Sequence, residues 1–105
     1  MNTRLHLARA RRAWPILVRA AARRSPLTYG ELTAKMGLHW RAAGWFLGVI
    51  QRHCAASGEP RLQAFAVNKQ TRRPGKGYAG KRGARAHEKE LDRVRAHRWS
   101  KKAPF

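Results

Sequence analysis

Residues 26–37, PLTYGELTAKMG, specify a short helix whose beginning and end are both marked. Thr28 is a good N-cap, and Glu31 stands three residues later, which completes the T-x-x-E pattern of a capping box. Gly37 suits the left-handed backbone that closes many helices. A helix this short is marginal on its own. We therefore expect it to pack against its neighbours.

The next segment, residues 39–57, reads HWRAAGWFLGVIQRHCAAS and predicts a second helix after a very short turn. Two helices joined by a tight turn that contains glycine are typical of a helix-turn-helix, whose second helix enters a groove of DNA. Simple helix packing in an all-α domain is the alternative. The predicted core stripe is Ala43, Phe46, Leu47, Ile50 and Cys54. The predicted outer stripe is Arg41, Trp45, Gly48 and Arg52.

The segments on either side complete the expected fold. Residues 1–12 hold four arginines and no acid, and they predict a basic arm or a short helix. Pro15 fits the first turn of a helix, so we expect a longer helix to start near Ala13. Residues 61–68, RLQAFAVN, alternate like a strand, and a short return strand is expected around Tyr78.

The sequence thus predicts a mainly α fold with a small β-hairpin, arranged as a winged helix-turn-helix with a basic N-terminal arm and a C-terminal helical tail. The basic connection at residues 69–78 would be the wing, with a flexible basic loop as the alternative. The expected divisions are 1–12 for the arm, 13–78 for the winged helix, and 79–105 for a basic linker and a helix over His87–Arg98 with its tail.

Net charge restricts the class of partner. The chain has 24 Lys and Arg against 5 Asp and Glu, a formal charge of +19 in 105 residues. Such self-repulsion opposes a compact state unless a polyanion neutralises it, and nucleic acid is the commonest polyanion. Seventeen of the cations are arginine, whose planar fork suits phosphates and guanine edges. A merely solvated Arg-rich surface and, less favoured, a membrane surface are the alternatives.

Other classes receive little support from the residues. No run of about 18 apolar residues occurs, and the N-terminus lacks the apolar core of a signal peptide. We therefore expect no membrane partner and a cytoplasmic location, associated with the nucleoid if the protein is bacterial. The single cysteine, Cys54, excludes an internal disulfide. The few clustered carboxylates and the spacing of the histidines predict no enzyme, no cofactor and no metal site.

The run TYGELTAKMG, followed by a helix with the spacing RAAGWFLG, resembles the DNA-binding domain of O6-alkylguanine-DNA alkyltransferases and alkyltransferase-like proteins. The resemblance covers roughly residues 14–78 and implies a winged helix with its recognition helix in the minor groove. It also implies that Arg41 stands where the arginine of that family helps to extrude a nucleotide. The Pro-Cys-His-Arg or Pro-Trp-His-Arg stretch of the family is absent, since His53-Cys54 has the reverse order within a helix. We therefore do not carry over alkyl transfer or lesion recognition.

The resulting hypothesis is a non-catalytic protein that binds nucleic acid, chiefly duplex DNA, with weak sequence specificity. One rival is a small basic winged-helix protein that acts on another protein or on a nucleoprotein complex, such as a phage-encoded inhibitor of a host defence complex, with Trp40 and Trp45 as interface anchors. The segment at 62–78 and the last residues also resemble small bacterial or phage winged-helix proteins of unassigned role. RNA binding is the other rival. The predicted contacts are His39, Trp40, Arg41, Trp45 and Arg52 on the recognition helix, Lys69, Arg72, Arg73 and Lys76 on the wing, and Arg11 and Arg12 on the arm.

Overall fold

The computed structural model describes residues 3–105, which form four α-helices, two 3-10 turns and a two-stranded sheet. The mainly helical fold expected from the sequence is confirmed. The helices are α1 (Thr3–Ala22), α2 (Tyr29–Lys35), α3 (Ala43–Ser57) and α4 (Ala84–Ala96). The 3-10 turns are Trp40–Ala42 and Leu62–Phe65, and the strands are β1 (Leu27–Thr28) and β2 (Ala66–Val67).

One core lies between α1, α3, α4 and the turn Leu62–Phe65, which packs against all three helices. Trp14 of α1, Phe46 of α3 and Phe65 of the turn are fully buried within it. The predicted core stripe of α3 is also confirmed, because each of its members is buried: Ala43, Phe46, Leu47, Ile50 and Cys54. The side of α3 opposite this stripe is therefore free to form a surface.

Helix α2 has both of the ends that the sequence predicts. The Thr28 hydroxyl accepts a hydrogen bond from the Glu31 N–H at 3.0 Å, and the Thr28 N–H donates to the Glu31 carboxylate at 2.8 Å. The hydrogen bonds from Thr28 lower the pKa of Glu31. At the other end Gly37 has φ +70°, and the Leu38 N–H donates to the Thr33 carbonyl at 2.9 Å, which is a Schellman closure. These caps fix where the chain turns into α3.

The expected start of the first helix near Ala13 is wrong, because α1 begins at Thr3 and contains Pro15 in its interior. Residues 3–12 therefore continue the helix rather than form a separate arm, and residues 1 and 2 lie outside the described part. Pro15 cannot donate the hydrogen bond to the Arg11 carbonyl, a loss that costs about 3 kcal/mol in an isolated helix. Burial of Ala10 and Trp14 on the core face of the same helix compensates for this cost.

The prediction of a β-hairpin is also wrong. Strand β2 pairs in parallel with β1, so that Leu27 lies opposite Ala66 and Thr28 opposite Val67. The intervening α2 and α3 form the crossover that a parallel pair requires. Most of the predicted strand at 61–68 is the 3-10 turn Leu62–Phe65, which is buried on every side, so its alternation of residues did not report two faces.

No strand follows β2 within the described residues, and the expected return strand at Tyr78 does not form. The chain instead reverses at residues 68–73, where the Asn68 N–H donates to the Arg73 carbonyl and the Arg72 N–H donates to the Asn68 carbonyl, both at 2.8 Å. Residues 74–83 then run as an irregular loop to α4. Pro74 has no N–H to give to a ladder, and the loop carbonyls bond a side chain instead, as described below.

Helix α4 begins three residues before the predicted His87 and ends at Ala96. Beyond it, residues 97–105 fold back over α1. The Trp14 indole N–H donates to the Ser100 carbonyl at 2.8 Å, and the rings of Trp99 and Phe105 meet the Trp14 ring edge to face at 5.5 and 5.7 Å. The C-terminal segment is thus part of the packed core around α1.

Candidate nucleic-acid interface

The outer side of the α2–α3 pair presents aromatic and cationic groups. His39 caps the 3-10 turn Trp40–Ala42 through its Nδ1 atom, which accepts from the Arg41 N–H at 3.2 Å. The side chain of Trp40, in this turn, is 56% exposed. The Arg41 guanidinium lies 5.5 Å from the centre of the Trp40 ring. One turn later Trp45 is 53% exposed. Large exposed aromatic side chains beside cations are typical of binding surfaces.

A cavity of about 260 Å³ lies between this surface and the loop at residues 74–78. Gly44 and Gly48 form part of its wall on α3. A Cβ atom at Gly44 would meet nothing within 4 Å, and one at Gly48 would meet only the Arg52 guanidinium at 3.4 Å. Bare backbone at these two positions therefore leaves the wall open rather than packed against another helix. The remaining lining includes Tyr29, Trp40, Arg41, Leu47, Gln51, Gln63, Lys76 and Tyr78.

Gln63 is the most informative residue of this cavity, and sequence reasoning missed it. Its side chain is buried, with 4% exposed, in the 3-10 turn Leu62–Phe65. Its Nε2 atom donates to the Gln51 Oε1 atom at 3.3 Å, but its own Oε1 atom is buried and has no hydrogen-bond partner among residues 3–105. A buried acceptor without a partner costs roughly 1–3 kcal/mol. Gln63 thus places a buried, unpaired acceptor beside the cavity that its side chain lines.

Gln51 of α3 holds the far wall of the cavity in place. Its Nε2 atom donates to the Gly77 carbonyl at 3.2 Å, and its Oε1 atom accepts from the Ala79 N–H at 3.0 Å. The Tyr29 hydroxyl accepts from the Gly75 N–H at 2.5 Å. The loop is therefore tied to both α2 and α3 rather than swinging free.

Arg82 closes the loop on itself. Its guanidinium donates to the Gly75 and Lys76 carbonyls at 2.8 Å each and to the Pro74 and Tyr78 carbonyls at 3.4 Å each. These bonds satisfy carbonyls that a hairpin would have paired in a ladder. The rigid fork of arginine suits such a task.

Neither titratable group of this region with a shifted pKa points to catalysis. Burial raises the pKa of Tyr78 to about 12, so the phenol stays neutral and acts only as a ring and a hydroxyl. Burial also raises the pKa of Cys54 to about 11, and this thiol lies in the core beneath α3. A thiol with such a pKa is a poor nucleophile.

The structure brings only some of the predicted contact residues together. Trp40, Arg41 and Lys76 line the cavity. Trp45 lies outside it and stacks on the His6 ring of α1 at 5.0 Å between ring centres. His39 acts as the cap already described. The remaining residues of the α3 and loop sets are exposed: Arg52, Lys69, Arg72 and Arg73.

The two predicted arm residues belong to α1 and make bonds within the fold. The Arg11 Nε atom donates to the Phe105 carbonyl at 2.8 Å, which fastens the C-terminal segment. The Arg12 guanidinium donates to the Met36 carbonyl at 2.6 Å, at the end of α2. Both side chains remain exposed, but their geometry is set by these bonds.

Within residues 3–105, no group of three or more His, Cys, Asp or Glu side chains is placed to hold a metal ion. None of the helices in the same range has the length and apolar character needed to cross a bilayer.

Comparison of the chain with models of known protein families, with curated proteins and with solved structures finds no match.

Proposed function

We propose that this protein binds nucleic acid through the α2–α3 surface, and that the cavity beside Trp40 receives a base that has left its stack. The α2–α3 pair would act as a helix-turn-helix, with the loop at residues 69–83 in the place of a wing. The observation that carries the proposal is the cavity itself: a site lined by exposed aromatic and cationic groups on a chain of charge +19, with an unpaired buried acceptor at Gln63.

The chemistry of the lining suits a nucleobase. Stacking on an aromatic ring contributes about 1–3 kcal/mol per base and tolerates any base, and Trp40 is the exposed ring. The unpaired Gln63 Oε1 atom can accept from an exocyclic amino group or a ring N–H on the edge of a base. Arg41, which the alkyltransferase resemblance places at the position of a nucleotide-extruding arginine, stands next to Trp40 and can contact the phosphate or fill the vacated stack.

The exposed cations would supply affinity that does not depend on the base sequence of the nucleic acid. The exposed cations Arg52 of α3 and Lys69, Arg72 and Arg73 of the loop would contact phosphates, and such contacts make binding strongly dependent on salt. The outer stripe of α3 carries no Asn or Gln to read adenine. We therefore expect weak sequence specificity, with one site preferred over random DNA by less than about a thousandfold, the low end for specific binders.

Fluorescence anisotropy tests the proposal with four labelled probes: a paired duplex, the same duplex with one mismatched base, a single strand and an RNA hairpin. We expect the paired duplex to bind with an affinity that falls linearly on a log–log plot against salt. We expect the mismatched duplex to bind about tenfold more tightly, because extruding an unpaired base costs less. Absence of duplex binding at physiological salt would overturn the function, and tightest binding to the RNA hairpin would reassign it to RNA.

The variant Gln63→Met separates the cavity from the charged surface. It keeps the length of the side chain and removes the unpaired acceptor, so we expect it to lose the preference for the mismatch while binding the paired duplex within about twofold of wild type. The control is Gln70→Met, in the exposed reversal at residues 68–73, which should keep the preference. Equal loss in both variants would contradict a role of the cavity.

The exposed tryptophans also favour a second candidate, a protein or nucleoprotein partner, since such residues are enriched at interface hot spots. Trp45 carries this alternative, because it is 53% exposed and lies outside the cavity. Trp45→Ala should leave the mismatch preference unchanged if nucleic acid is the partner of the cavity. If instead the protein binds none of the four probes, capture of a partner that Trp45→Ala abolishes would support the second candidate.

A further inference from the structure

A second cavity, of about 270 Å³, lies on the other side of the loop that bounds the first. The two cavities share only Pro74 and Tyr78 among their lining residues, so this loop is a wall with a cavity on each face. The second cavity is bounded by the reversal at residues 68–73 and by the start of α4. Besides Tyr78, its polar lining consists of Thr71, Arg73, Lys81, Arg82 and His87.

The lining is positively charged without compensation. Three cations border the cavity, and none of the five acidic residues of the chain does. The charged ends of Arg73 and Lys81 form no hydrogen bond or ion pair with residues 3–105, in contrast to Arg82, whose terminal nitrogens hold the loop. Two free cations are therefore available to a ligand, and a third cation adds its field.

His87 forms the inner edge of the second cavity. It is buried, with 6% exposed, yet it lines the cavity. Its Nε2 atom lies 2.9 Å from the Ala64 carbonyl, which can only accept, so Nε2 carries the proton. The Nδ1 atom forms no hydrogen bond with residues 3–105. The ring of His87 thus forms a fixed edge of the cavity, held through Nε2 by the turn Leu62–Phe65.

The first turn of α4 adds to the same field. Its N-cap is Gly83, which has φ +105° and provides no side-chain cap. The first N–H groups of a helix have no partner within the helix, and its dipole places partial positive charge at this end. Gly83 lines the cavity together with the cations, so an anion there would face the start of a 13-residue helix.

We propose that this second cavity binds a phosphate group. Every phosphate group, diester or monoester, is anionic at neutral pH, and its oxygens accept charge-assisted hydrogen bonds from Arg73 and Lys81 together. The Thr71 hydroxyl also lines the cavity and is bonded to the Arg73 backbone, where it donates to the carbonyl at 3.3 Å and accepts from the N–H at 3.2 Å. The phosphate belongs either to the backbone of a bound nucleic acid, in which case the inference rests on the proposed function, or to a free phosphate compound, in which case it does not.

Titration with inorganic phosphate tests the site without nucleic acid. Calorimetry at constant ionic strength, set by sodium chloride, should give saturable one-to-one binding, and NMR should show the Gly83 amide and the His87 ring signals shifting with the same curve. The variant Arg73→Gln/Lys81→Gln should bind at least tenfold more weakly. The control Lys101→Gln/Lys102→Gln removes the same charge from exposed positions of the C-terminal segment and should bind like wild type.

The inference is overturned if phosphate produces no saturable binding, or if both double variants weaken it equally, since attraction would then reflect net charge alone. Duplex DNA titrated against the same variants assigns the source. A larger loss for Arg73→Gln/Lys81→Gln than for the control identifies a backbone phosphate, whereas equal DNA affinities identify a free phosphate compound. Because the phosphate titration uses no DNA, failure of the proposed function and failure of this site give different results.

Discussion

At the scale of single residues, Gln63 is a buried side chain that is only partly hydrogen-bonded. A glutamine buried to this degree normally has all its polar atoms paired, yet its Oε1 atom has no partner among residues 3–105. The lost hydration of that atom lowers the free energy of unfolding in the absence of a ligand. A residue that weakens the fold in this way is expected where function requires an available acceptor.

We predict that Gln63→Met raises the free energy of unfolding by about 1 kcal/mol, because removing a buried unpaired acceptor outweighs the single long bond to Gln51. Urea denaturation followed by circular dichroism measures the change. The same substitution at exposed Gln70 should leave stability within about 0.5 kcal/mol of wild type. A loss of stability in Gln63→Met would mean that Gln63 is a structural residue.

At the scale of elements, α2 is stabilised more by the caps at its two ends than by hydrogen bonds and packing along its length. It has seven residues, of which only Leu32 and Thr33 are buried, so its own hydrogen bonds and packing contribute little. The capping box at Thr28 and the Schellman closure at Gly37 fix both termini, and β1 fastens the N-terminal end to the sheet. The caps therefore determine where Tyr29 and His39 present their side chains to the site.

We predict that Thr28→Ala lowers the free energy of unfolding by about 1 kcal/mol, the usual cost of a lost N-cap. It should also raise the pKa of Glu31 part of the way towards its ordinary value, because the variant keeps the backbone hydrogen bond of Thr28, the larger cause of the lowering, and loses the side-chain one. Urea denaturation and NMR titration of the Glu31 carboxyl measure the two effects. Ser25→Ala, at an exposed position before β1, is the control, and equal destabilisation by both variants would contradict the cap.

The loop at residues 74–78 depends on one side chain in a comparable way. We predict that Arg82→Lys increases amide hydrogen exchange at Gly75 and Ala79 by about tenfold, since an ammonium group cannot span four carbonyls as the guanidinium does. The control Arg85→Lys makes the same exchange of residue at an exposed position of α4. Unchanged protection in Arg82→Lys would mean that Tyr29 and Gln51 alone hold the loop.

At the scale of the whole molecule, the C-terminal segment is fastened by a shared carboxylate. Glu59, just after α3, accepts from His53 at 3.0 Å and from His97 at 2.9 Å, and Ser57 donates to it at 2.8 Å. Burial alone would raise the pKa of Glu59, but the bonds from Ser57, His97 and His53 outweigh it and lower the pKa. One carboxylate thus joins α3 to the residues that follow α4.

The lowered pKa of Glu59 predicts how the stability of the fold changes in acid. Since its folded value lies below the ordinary 4.5, Glu59 stabilises the fold above that pH and loses this contribution as the pH falls through the folded value. Urea denaturation between pH 6 and pH 3 should show wild type losing more stability than Glu59→Gln. Parallel curves for the two proteins would show that the three hydrogen bonds do not favour the charged form.

The charge of +19 acts on the fold as a whole, because like charges repel more strongly in the compact state. We predict that the midpoint of thermal unfolding rises when sodium chloride increases from about 20 to 300 mM, as screening shortens the range of that repulsion. Differential scanning calorimetry measures the shift. A constant or falling midpoint would mean that the pairs formed by the few acids contribute more than the repulsion costs.

The sequence by itself determined the features that depend on neighbouring residues. Thr28 and Glu31 meet across one helical turn, Gly37 adopts the left-handed backbone that a glycine permits, and the spacing of Ala43 to Cys54 selects the buried face of α3. Each of these follows from local geometry. The exposed position of Trp40 and Arg41 could be predicted in the same way, because the helical period assigns what it does not bury to the surface.

Only the tertiary structure decided the features that join distant segments. The parallel pairing of Leu27–Thr28 with Ala66–Val67 is a long-range contact, and a strand of two residues is too short to be predicted from its sequence pattern. In the sequence, Gln63 belongs to a segment that alternates like a strand, and only the packing around Leu62–Phe65 shows that it is a buried acceptor. In the sequence, Arg82 is one basic residue among many, and only the tertiary structure shows that it bonds several loop carbonyls. Short segments have too few local interactions to fix their own conformation, so the surrounding core chooses it.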